Sequence, residues 1–66
     1  MTNSGMQEAV NQGMQGDEAR ELGDFASAAT HLAEAAELFR KLGDDEGAAW
    51  MRDVQTKLAR QLEGQN

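Results

Sequence analysis

The sequence predicts an all-α protein of three antiparallel helices. Three observations predict it. Apolar residues recur at spacings of three and four through most of the chain, which places them on one side of a helix. The pairs Gly23-Asp24 and Gly43-Asp44 divide it into three segments of similar length, each pair supplying a helix stop followed by a helix start. Proline is absent, and no stretch alternates β-branched with polar residues, so no strand is assigned.

The expected domain covers residues 5–62, with disordered ends at residues 1–4 and 63–66. The first helix, residues 5–22, has a capping-box start in Ser4 and Gln7. Its apolar marks are Met6, Ala9, Val10, Met14, Ala19 and Leu22. Gly13 and Gly16 interrupt it, each at about 1 kcal/mol relative to alanine. Either they weaken this helix or they let the central one approach closely.

The central helix, residues 25–42, is the best specified and organises the rest. Asp24 suits its N-cap, Gly43 its left-handed stop, and Arg40 and Lys41 its negative end. Phe25, Ala28, Ala29, Leu32, Ala35, Ala36, Phe39 and Leu42 form one face for burial, and Ala26, Ala29, Ala33 and Ala36 lie beside it as a strip of small side chains. Ser27, Thr30, His31, Glu34 and Glu37 read as a solvated face. The third helix, residues 45–62, begins on Asp44, Asp45 and Glu46, carries Met51, Val54, Leu58 and Leu62 at three-four spacing, and stops near Gly64. The expected structural core is Phe25, Ala28, Leu32, Ala35, Phe39, Leu42, Leu58 and Leu62.

Fifteen large apolar residues and eleven alanines make a small core in a chain of 66 residues. At this size domains often rely on a disulfide, a metal or a second subunit. There is no cysteine, and His31 is the only histidine, so tight helix packing or self-association remains. Neither a secretory signal nor an apolar run of membrane-spanning length is present, and a soluble, cytoplasmic chain without a membrane partner is expected. A net charge of −6 argues against nucleic acid as a partner, because phosphate binding needs clustered Lys and Arg. The charge is uneven, with three basic and two acidic residues in residues 52–63.

No catalytic site stands out, and an enzyme is not expected. His31 lacks the companion nitrogen or sulfur ligands of a zinc site. Asp44, Asp45 and Glu46 lack the alternating spacing of a calcium loop and read as a cap. Asp17, Glu18, Glu21 and Asp24 could pair as acid and base, but read as a solvated face. Ser27 and Thr30 have no recognisable base, and Gly13 and Gly16 are not followed by the lysine and hydroxyl of a phosphate loop. Neither metal nor cofactor is expected. Trp50, at the edge of the third helix's apolar stripe, is the kind of group that anchors interfaces. It could equally cap its own core.

Gly23, Phe25, Ala28, Leu32 and Ala35 stand at the spacing of the second helix of a tetratricopeptide repeat, which residues 16–62 resemble. Gly16 falls on the small position of that repeat's first helix, and the string LFRKLGDDEGAA is similar to the junction of a longer-repeat variant. Gln12 and Gln15 stand where the family prefers an aromatic and a leucine. The resemblance implies a helical hairpin plus a capping helix, with an open face. The central hairpin also resembles that of the microtubule-interacting and trafficking domain, another three-helix family. Both families bind peptides between helices.

The function expected is therefore a protein-protein interaction module, an adaptor or scaffold, binding a partner peptide or helix in a groove beside the third helix. Its contacts would be Trp50, Met51 and Val54 with a basic edge of Arg52, Lys57 and Arg60, which would suit an acidic partner. The alternatives are a structural homodimer, or a terminal docking or cap element of a larger assembly.

Overall fold

A computed structural model describes residues 4–64, and the expected disorder at residues 1–3 and 65–66 lies outside these. Three helices fill the described chain: α1 (Ser4–Glu21), α2 (Phe25–Leu42) and α3 (Asp45–Glu63). Ser4 and Glu63, assigned above to the disordered ends, belong to helices. No strand is present among the described residues.

The two joints are built alike. Gly23 and Gly43 adopt φ of 84° and 71°, the left-handed region open to glycine without a Cβ penalty. At the first joint Gly23 N–H donates to Arg20 O and Asp24 N–H to Ala19 O; at the second Gly43 N–H donates to Arg40 O and Asp44 N–H to Phe39 O. Both are Schellman closures. Each aspartate then caps the helix that follows, Asp24 Oδ1 accepting from Ser27 N–H at 3.4 Å and Asp44 Oδ1 from Gly47 N–H at 3.2 Å. One dipeptide thus ends a helix and begins the next, and so short a joint makes neighbours antiparallel.

α2 packs along both neighbours, whereas α1 and α3 meet only locally. The core is Ala9, Ala28, Leu32, Ala35, Phe39, Met51, Val54 and Leu58, with Phe39, Leu32 and Met51 its largest members. Glycines set the spacing. An added Cβ on Gly16 would lie 2.7 Å from Leu32 Cδ2 and 3.1 Å from the Leu32 backbone nitrogen. On Gly13 it would lie 2.8 Å from Met51 Cε and from Trp50 Cη2. Both are therefore close-approach positions in an unbroken helix, and at Gly13 the neighbour is α3 rather than the central helix.

Several expectations are corrected. Leu42 and Leu62 are each 46% exposed, outside the core. They lie in the last turns of their helices, where the opposing helix has begun or ended; Leu42 meets Gly5, which has no side chain to cover it. Phe25 is partly buried against the core rather than inside it. Ala29 is exposed, as are Ala26 and Ala33, so the strip of small side chains is largely uncovered.

Candidate functional site

Trp50 is held from below. Its ring meets Phe39 edge to face, with centroids 6.0 Å apart and planes at 62°, and its outer atoms cover Gly13 of α1. The indole remains partly exposed, and with Asn11, Met14, Gln15, Asp17, Glu18 and Glu21 of α1 it lines an open hollow along the α1–α3 seam. Met14 is 58% exposed there, because it lies on the flank of α1 away from Ala9, Gly13 and Gly16. The lining combines the apolar Met14 and Trp50 with the acidic Asp17, Glu18 and Glu21.

Arg20 closes the seam at the far end. Its Nε and Nη2 donate to Asp17 Oδ1 at 2.9 and 2.7 Å, while Nη1 donates to Gln61 Oε1 of α3 at 2.8 Å. Glu21 stands 3.7 Å from the same guanidinium. The Arg20 side chain is 14% exposed, so this cation is engaged within the chain and offers little to a partner. Glu18 has no ion-pair partner among the described residues.

The other expected contacts are dispersed. Met51 and Val54 are 0% and 3% exposed: with Gly47 and Leu58 they form the face of α3 turned into the core, so neither can touch a partner. Arg52, Lys57 and Arg60 are exposed but do not form one edge. At 3.6 residues per turn, Arg52 and Lys57 project about 140° apart. Arg52 lines the α2–α3 side with Ala36, Arg40, Ala48 and Gln55, and Lys57 pairs with Asp53 at 3.5 Å. These cations therefore offer an acidic partner no common edge.

His31 Nδ1–H donates to Gln12 Oε1 at 2.6 Å, a tie between α2 and α1. Asp44 is engaged as a helix cap. No group of three or more His, Cys, Asp or Glu among the described residues is placed to hold a metal ion. No helix among them is long and apolar enough to cross a membrane. Sequence reasoning missed Met14 and the carboxylates as site residues. The available signal was Met14 beside Gly13, a large apolar side chain on the flank opposite two glycines.

No protein-family model, curated protein or solved structure matches the chain.

Proposed function

We propose that the chain is a cytoplasmic protein-interaction module of the adaptor or scaffold kind, without chemistry of its own, that takes a partner segment in the α1–α3 hollow. The observation that carries this reading is the partly exposed indole of Trp50, fixed on Phe39 and Gly13 and set beside the exposed Met14. A rigid aromatic held from one side can contact a partner with little further loss of side-chain freedom. The tetratricopeptide-like spacing of Gly23, Phe25, Ala28, Leu32 and Ala35 supports the same class of function by analogy.

A second reading, self-association, is favoured by the exposed Ala26, Ala29 and Ala33 on α2, which would allow another helix close approach. Against an obligate dimer stands the accessible surface of 4496 Å². A compact monomer of 7.2 kDa exposes about 4,100 Å². The excess, about a tenth, is less than an obligate interface buries on one side.

Selection from a displayed random-peptide library tests the first reading. Enriched peptides are expected to bind the chain and to lose about 30-fold in affinity on Trp50→Ala, as an interface hot spot does. Met14→Ala, which removes an exposed side chain, should cost about fivefold while circular dichroism stays unchanged. No enrichment, or peptides indifferent to both substitutions, would refute it.

A further inference from the structure

We infer that the occupant of the α1–α3 hollow is a cationic amphipathic helix, carrying Lys or Arg around a stripe of large apolar side chains. This rests on the interaction reading above and adds the chemistry of the partner. The apolar part of its lining, Met14 and Trp50, asks for apolar side chains. The rim is Asp17, Glu18 and Glu21, and the cation beside it is already bound to Asp17 and Gln61. That leaves the exposed Glu18 carboxylate without an ion-pair partner among the described residues, beside an exposed Glu21 held only at 3.7 Å from Arg20. On α3, Lys57 is paired by Asp53 and does not offset them.

Three consequences select the occupant. Complementary charge steers encounter and rejects partners of like sign, so an acidic segment is disfavoured at this rim. A second copy docking the same hollow about a twofold axis would bring two copies of this acidic rim into one interface, which disfavours self-closure here. A partly exposed indole also attracts an ammonium or guanidinium to its π face, so Trp50 favours the same sign of charge as the rim. The hollow runs from Asn11 to Glu21, about 15 Å of helix rise, enough for about three turns of an amphipathic helix laid along the seam.

Two synthetic peptides test this, sharing one leucine face and lacking tryptophan, one with lysine and the other with glutamate at the polar positions. Binding is read by Trp50 emission, Trp50 being the only tryptophan, and by calorimetry. The lysine peptide should bind about tenfold tighter than the glutamate peptide, with the difference shrinking at high salt. Glu18→Lys with Glu21→Lys should weaken lysine-peptide binding by about tenfold or more. Glu34→Lys with Glu37→Lys, the same change of net charge on the α1–α2 side, should leave it within about twofold. Equal loss in the two double variants would mean attraction by net charge alone and would overturn the inference. Tighter binding of the glutamate peptide, abolished by Trp50→Ala, would overturn it while leaving the interaction reading standing. If neither peptide moves the Trp50 emission and calorimetry detects no binding, both fail together.

Discussion

Phe39→Ala is expected to leave much of the chain unfolded at 25 °C. Phe39 is 1% exposed and joins α2 to α3: its ring lies against Gly47, and Trp50 packs on it edge to face. Truncating a buried phenylalanine costs about 3–5 kcal/mol, transfer and cavity terms together. A 66-residue domain has a total stability of about 3–10 kcal/mol at ordinary values per residue. With three alanines among eight core residues there is little other volume to collapse into the void. Urea titration followed by far-ultraviolet circular dichroism reads the outcome. A midpoint close to that of the parent chain would show that Phe39 does not hold the helices together.

Gly47→Ala acts on the same contact from the other side. A Cβ at position 47 would lie 2.1 Å from Phe39 Cδ1, 2.4 Å from Cε1 and 2.6 Å from Cγ. These are ring atoms of a buried side chain, so either the ring leaves its place or α3 moves off α2. Replacing a helical glycine gains about 1 kcal/mol of propensity, and overpacking costs about 3 kcal/mol or more where neighbours cannot give way. The expected net loss is about 2 kcal/mol, a fall of about 8–16 °C in Tm for a domain this small. Gly5→Ala, whose nearest neighbour is Leu42 Cδ2 at 3.5 Å, is the matched control and should not lower Tm. Because the clash is with the ring, the Gly47→Ala penalty should shrink in a Phe39→Leu background. A Gly47→Ala chain that melts at or above the parent temperature would contradict the close packing of α3 on α2.

The parts of the fold legible in the sequence are those written in local chemistry. Gly23-Asp24 and Gly43-Asp44 carry their stop and start within two residues, and the structure uses both functions at both places. Ala28, Leu32, Ala35 and Phe39 declare one face of α2, and that face is buried. What was not legible depends on which helix lies opposite. A glycine does not name its neighbour, so Gly13 could not be assigned to Trp50 and Met51, nor Gly47 to Phe39. Trp50, Met51 and Val54 share one apolar stripe, and only the direction of α2 separates the buried Met51 and Val54 from the partly exposed Trp50. Asp17, Glu18 and Glu21 read as a solvated face because Trp50 is about thirty residues away in the chain and adjacent only in space. Leu42 and Leu62 keep the periodicity of the core but lie where the packing ends.

Partner binding in the α1–α3 hollow requires that the hollow be open in the free chain. The most direct test is sedimentation equilibrium over a hundredfold range of chain concentration, with Trp50 emission recorded on the same samples. The expected result is the single-chain mass of 7.2 kDa throughout and an emission maximum that does not move with concentration. A two-chain mass accompanied by a blue shift of Trp50 would mean that a second copy fills the hollow, and would contradict an open hollow.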